Sequence, residues 1–414
     1  MRATNRFQKC ELENGLRIVV ESMSQTRAVT IGVWLFGGSR CDPPGKTGMS
    51  HLTEHLLFKG TRNRSAYEIA TAIEKIGGHL NAFTEKEYTC FYATVLDEYL
   101  SIAVDVLSDL VLHPRFDPVD FENEKRVILE EIHNLKDTPD DYIHDLYINA
   151  VFDKSMLGES ILGTEETLRS ITLDDVIEFW KTHFVGNAMI ASCAGNLNPA
   201  RFCDQIKGVF SGLSSGELPR FTPFLYGRDM HKQLTYPISQ SHFCVGNPGL
   251  SYHDANKYAL VILNTYLGAG MSSRLFQKVR ESRGLAYSVY SFTDFWSDCG
   301  LFGVYAGTSP DRMADAQHAI HEEIDLLRDN GIPHDEIVRI REQLKGNLLI
   351  SNEDTQVRMS RMAKMEGYTA SYLSVEALLE RIKSVRSEEI QSTAKMIFNQ
   401  EQQYSVLLQS ESIN

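Results

Sequence analysis

The stretch from Leu80 to Leu96 restricts the fold more than any other. It reads as two strands rich in β-branched and aromatic residues, joined near Glu85–Glu87. A joint so short reverses the chain, so the strands pair antiparallel. Helical patterns flank the pair: Tyr67–Lys75 closes at Gly77 and Gly78, and Glu98–Leu112 stops at His113–Pro114. Upstream, Gly15–Glu21 and Ala28–Phe36 have strand character. A turn cluster from Gly37 to Gly48 separates them from an apolar helical stretch, Ser50–Phe58. Pro118–Lys136 is a long charged helix that begins near a proline and ends before Pro139. Antiparallel strand pairs mixed with long helices predict an α+β fold, not a doubly wound parallel sheet.

Residues 213–230 (LSSGELPRFTPFLYGRDM) shift to Gly, Pro and Ser with little periodicity and read as a linker between two halves. Gly78–Thr94 can be laid beside Gly284–Gly307. Both are paired-strand patterns preceded by a helix and Gly and followed by a long helix, which suggests a duplicated fold.

Composition removes several classes of function. The 55 acidic against 41 basic side chains, a net charge of −14, argue against a general nucleic-acid binder and leave cationic partners open. No GxxxxGK[ST] or GxGxxG turn supports a nucleotide site. No apolar run approaches the ~18 residues of a membrane span. Met1–Val20 alternates polar and apolar residues without a signal core, so a cytoplasmic location is expected. The seven cysteines are scattered with no CxxC pair, and read as small thiols in a reducing compartment.

The chemistry lies in His51-Leu52-Thr53-Glu54-His55. Side chains four apart share a helix face, so His51 and His55 can reach one ion, and imidazole nitrogens suit Zn²⁺. Glu54 lies on nearly the same side, where it can touch a metal-bound water without being a ligand. This HxxEH order is the inverse of HExxH. A catalytic zinc needs a third protein ligand, and Pro118–Lys136 offers Glu122, Glu124, Glu130 and Glu131. Glu124 and Glu131, seven apart, line one face of that helix. His318-Ala319-Ile320-His321-Glu322 has the wrong order and reads as the polar side of a surface helix.

HLTEHLLFKG, then GGHLNAFTEKEYT, then ENEKRVILEEI resembles the pitrilysin/insulinase family of inverted zinc peptidases. Within it, the chain is most similar to the branch of the mitochondrial processing peptidase β subunit and its bacterial relatives. The resemblance spans about residues 10 to 405. It implies two related domains of the processing peptidase/LuxS metallopeptidase type enclosing a cleft. These would be a catalytic zinc-binding domain over 1–215, a linker over 216–230, and a related domain over 231–414 that binds no metal. It implies one Zn²⁺ per chain held by His51, His55 and Glu131, with Glu54 as general base and Glu124 as an auxiliary carboxylate. Arg280 and Tyr287 are the family's pair that reaches the substrate carbonyl region. Asn81, Ala82 and Phe83 match the edge strand on which substrate lies, and Phe58 the pocket after the scissile bond. Asp141 and Asp145 match acidic positions that hold an arginine near the cut. If the helix of Glu131 continues past Pro139, those aspartates lie on the same helical run. The short Gly268–Ser273 segment lacks the glycine-rich loop of the non-catalytic α subunit, which marks the catalytic type. The implied function is a zinc endopeptidase acting on short, unfolded, basic peptides or presequences, as a homodimer or with a paralogous subunit. The alternative is a non-catalytic peptide-binding scaffold subunit.

Overall fold

The computed structural model describes residues 7–410, which form two compact units. The first runs to His133 and adds Ser160–Pro223 and Ile350–Tyr372. The second comprises Asn134–Glu159, Phe224–Leu349 and the chain from Leu373 onward. The crossing at Pro223–Phe224 falls within the expected linker. The units are nevertheless discontinuous, unlike the continuous halves 1–215 and 231–414 expected above, because each takes in a helix from the other half of the sequence.

The first unit is built on a six-stranded sheet of order β1-β2-β6-β3-β5-β4. Its strands are β1 (Phe7–Glu11), β2 (Arg17–Ser22), β3 (Ala28–Phe36), β4 (His79–Thr84), β5 (Tyr88–Leu96) and β6 (Met189–Gly195). Only β2 and β6 pair in parallel. The β4–β5 hairpin turns at Glu85–Glu87, and β4 forms one edge. Helices α1 (Met49–Leu57), α2 (Ala66–Glu74), α3 (Leu100–Leu112) and α4 (Pro118–Lys136) follow the sequence patterns to within two residues.

Strand β3 is apolar throughout because both of its faces are covered. Ile31, Val33 and Leu35 pack with α2 and α3 residues such as Ile69, Ile73, Val104 and Leu107. Trp34 faces the other way, onto Met359, Met362 and Ala363 of the helix Thr355–Thr369. A Cβ at Gly32 would come within 2.5 Å of Met359 Sδ, so a bare backbone is needed for that approach. Polar contacts fix the helix in register. Ser192 Oγ donates to the Met359 carbonyl at 2.7 Å, and Thr30 and Thr355 hydroxyls meet at 2.7 Å. Arg358 pairs with buried Glu21 at 2.6 Å.

The second unit carries a five-stranded sheet, β7-β11-β8-β10-β9. Its strands are β7 (His231–Tyr236), β8 (Ser241–Gly249), β9 (Ser288–Phe295), β10 (Gly300–Thr308) and β11 (Tyr404–Ser410). Here the first and last strands pair in parallel, as β2 and β6 do, and the remaining pairs are antiparallel. Without β1, the first sheet has the same order, so the duplication suggested by the two hairpin patterns is a duplication of topology. Helix α5 (Pro139–Val151) covers one face, where Ile143, Tyr147 and Val151 meet Cys244, Leu301 and Val406. Tyr147 Oη donates to the Phe302 carbonyl at 2.8 Å. Gly246 likewise lets a covering helix approach: a Cβ would meet Tyr147 Oη at 2.6 Å.

Helix α4 ends before Pro139, as the sequence predicts, so the conditional continuation that would have carried it to Asp141 and Asp145 does not occur. Proline lacks the N–H for a helix interior and disfavours helical backbone at the residue before it. Accordingly α4 ends at Lys136 and Pro139 opens α5 as its first residue. His318 is exposed and pairs with Glu322 at 3.3 Å, as a surface helix predicts, while His321 is half-buried and bonded to Gln403 at 3.0 Å. All seven cysteines are free thiols, four of them buried. Among the described residues, no helix is long and apolar enough to cross a membrane.

Candidate metal centre

Helix α1 holds its two histidines one turn apart, with ring centroids 4.5 Å from each other. Leu52 and Leu56 are buried with Phe121, Ile128 and Ile132 of α4, which sets α4 beside the histidine face. Glu131 is thereby brought to the pair: its carboxylate oxygens lie 3.8 Å from His51 Nε2 and 3.8 Å from His55 Nε2. One ligand atom from each of the three residues lies within 4.8 Å of the others. Tetrahedral zinc at ~2.1 Å from each donor would separate its ligands by roughly 3.4 Å. Small side-chain adjustments close the difference, and two imidazoles with one carboxylate are a donor set suited to zinc. Among the described residues this is the one such cluster of His, Cys, Asp and Glu.

The surroundings keep these nitrogens available. Burial, reinforced by the neighbouring His55, pushes His51 down to about 3, so its ring is neutral at ordinary pH. His55 Nδ1 meets Glu124 Oε2 at 3.1 Å. A carboxylate only accepts, so the proton sits on Nδ1 and the Nε2 lone pair faces Glu131. Glu124 is buried and also receives Lys59 Nζ at 2.8 Å. Glu54 is buried as well. Desolvation raises its carboxyl above the usual range, against the pull of a hydrogen bond from Thr84, and it senses the charges of His55 and Glu131.

The other expected residues divide by unit. Asn81, Ala82 and Phe83 lie on β4, the sheet edge, where the Ala82 N–H is held by the Asn81 side chain at 2.8 Å. Phe83 packs edge-on to Trp34, 5.7 Å between centroids. Phe58, just past α1, leans on Phe91 at 6.2 Å. Arg280 and Tyr287 belong to the second unit, the guanidinium 5.5 Å from the tyrosine ring centre, with Tyr287 75% exposed. Asp141 and Asp145 are on α5, also in the second unit, where both carboxylates act on His144. Because α5 is a separate helix, they do not share the helical run of Glu131.

Three contributors escaped the sequence reading. Asp42 anchors the start of α1, Lys59 pairs with Glu124, and Thr84 bonds Glu54. Lys59 follows His55 by four positions and could have been found by helical spacing. Asp42 and Thr84 act across turns that no local pattern encodes.

The comparisons with known proteins agree with this geometry. Residues 17–165 match insulinase (peptidase family M16), and residues 170–344 match the peptidase M16 inactive domain. The chain belongs to this peptidase family. It is 39% identical to an uncharacterized zinc protease of Streptomyces coelicolor, over 97% of this chain and 89% of that one. It is 38% identical to the uncharacterized zinc protease YmxG of Bacillus subtilis, over 97% and 98%. A protease from Helicobacter pylori has the same fold, with a TM-score of 0.91 at 20% identity over 97% of this chain and 99% of that one.

Proposed function

We propose that the chain is a zinc-dependent endopeptidase in which His51, His55 and Glu131 hold the ion. The observation that carries this reading is the convergence of these three ligand atoms within 4.8 Å, beside the buried carboxylate of Glu54. The names of the Streptomyces and Bacillus relatives support the choice of metal. When bound, zinc supplies Lewis acidity and lowers the pKa of a coordinated water toward ~7.

The chain's own residues supply the rest. Glu54, its proton affinity raised by desolvation, takes a proton from the attacking water and returns it to the leaving amine. Glu124 fixes the tautomer of His55. The edge strand β4 offers backbone groups to an extended peptide that joins the sheet as a strand, displacing the Asn81 side chain from the Ala82 N–H, with Asn81, Ala82 and Phe83 in contact and Phe58 as an apolar neighbour. Such a mode suits short, unfolded chains, and the net charge of −14 favours basic ones. Roles for Arg280 and Tyr287 at the substrate carbonyl, and for Asp141 and Asp145 in holding an arginine, rest on family membership alone.

The test is Glu54→Gln, which removes the base and leaves the ligands. Zinc content by atomic absorption should match the wild type, while peptide turnover falls by at least ~100-fold. Near-normal turnover in this variant would sink the mechanism.

A further inference from the structure

We infer that Thr84 is a positioning residue for Glu54, and that the sheet edge proposed to bind peptide also sets the aim of the base. Thr84 is the last residue of β4, and its Oγ1 donates to Glu54 Oε2 at 2.5 Å. Among the described residues this is the one hydrogen bond made to the Glu54 side chain. It occupies one carboxylate oxygen and leaves Oε1 as the proton acceptor.

Two features make Thr84 a fixed donor. Its β-branched side chain is restricted at χ1 on a strand. Its cross-strand partner on β5 is the buried Thr89, whose hydroxyl lies 3.2 Å from that of Thr84. Because the Thr84 proton goes to the carboxylate, Thr89 donates to Thr84. The chain of hydroxyls Thr89→Thr84→Glu54 is polarised toward the base, and each bond strengthens the next. Without it, no hydrogen bond among the described residues would hold the Glu54 carboxylate about its last torsion.

The placement on β4 links two steps of the proposed reaction. A peptide added to this edge would pair beside Asn81–Phe83, one residue from Thr84. The strand that sets the register of the peptide therefore carries the donor that orients the base, and the two share one rigid support.

This inference rests on reading Glu54 as the base, and the test separates the two. The variants are Thr84→Val, which keeps the shape and removes the donor, and Thr84→Ser, which keeps the hydroxyl. Thr84→Ala repeats the test without added bulk should valine not be accommodated. Each is assayed as the full zinc-loaded chain, with a quenched fluorogenic peptide of about ten residues containing one arginine. Zinc content and Tm are measured in parallel. The expected result for Thr84→Val is a kcat lower by roughly 10- to 100-fold, as for a misaimed catalytic group, with KM and zinc content unchanged. Thr84→Ser should recover most of kcat. Wild-type kcat in Thr84→Val, alongside an inactive Glu54→Gln, would overturn the positioning role and leave the base in place. A raised KM or lost zinc at unchanged kcat would also overturn it, since Thr84 would then serve only the strand or the metal. An active Glu54→Gln would remove the base reading and this inference together.

Discussion

Glu124 joins two very different neighbours. One oxygen faces His55 Nδ1, and the other receives the Lys59 ammonium at 2.8 Å. A buried carboxylate costs several kcal/mol unless it is paired and hydrogen-bonded, and Lys59 supplies the opposite charge. His51 has no equivalent, as its Nδ1 finds no hydrogen-bond partner among the described residues. Of the two imidazoles, that of His55 alone is oriented by a hydrogen bond among the described residues. Glu124→Gln should weaken zinc binding by roughly 10- to 100-fold, measured by competition with a chromogenic chelator, with little change in Tm. Lys59→Met should weaken it less, because the Glu124–His55 bond survives. At this scale the motif was legible because its chemistry is local: two of the proposed ligands and the proposed base lie within five consecutive residues. The proposed third ligand was not. Spacing left four glutamates open on α4, and only the family resemblance chose Glu131. Thr84 was invisible because its hydroxyl comes from a strand 30 residues away.

Helix α1 begins at Gly48, a left-handed residue with no side chain to cap it. Asp42 does so from six residues upstream. Its carboxylate accepts from the N–H groups of Gly48, Met49 and Ser50 at 2.8, 3.1 and 2.9 Å, and from Ser50 Oγ at 2.5 Å. His51 follows at once, so the cap fixes the turn that bears the first proposed ligand. Burial pushes Asp42 from the ordinary 3.8 up to about 7, although its hydrogen bonds pull the other way. A raised folded pKa means that the folded chain binds this proton more tightly than the unfolded one. The contribution of Asp42 to stability is thus largest below about pH 4 and declines as pH rises toward 7. Asp42→Asn turns an amide NH₂ toward backbone donors and should cost about 1–3 kcal/mol. Its Tm deficit against the wild type should narrow between pH 5 and 7, which scanning calorimetry would show. A deficit that widens over that range would contradict the assignment. The elements themselves were largely legible: β3 and α4 have the bounds that periodicity and prolines predict. The conditional continuation of α4 toward Asp141 and Asp145 does not occur, because proline interrupts a helix whatever the spacing of carboxylates beyond it.

The whole molecule repeats one sheet topology, which the two hairpin patterns made legible. What they did not reveal is that each sheet is closed by a helix from the other half of the sequence. Thr30 and Thr355 touch across 325 residues, a separation that no periodicity can encode. A fragment ending at Pro223 would therefore leave Trp34, Cys90 and Ile190 without Met359 and Met362. Such a fragment should bind a hydrophobic dye and lack a cooperative thermal transition, whereas a well-folded 1–223 would contradict this account of the core. The same exchange bears on synthesis. At ~5–20 residues per second, the roughly 150 residues between Pro223 and Tyr372 take on the order of ten seconds or more to emerge. Through that interval the nascent first sheet carries an uncovered apolar face. The cluster of His51, His55 and Glu131 is translated well before the helix that completes its unit. Ribosome-bound chains of this protein thus offer holdase chaperones a long-lived target.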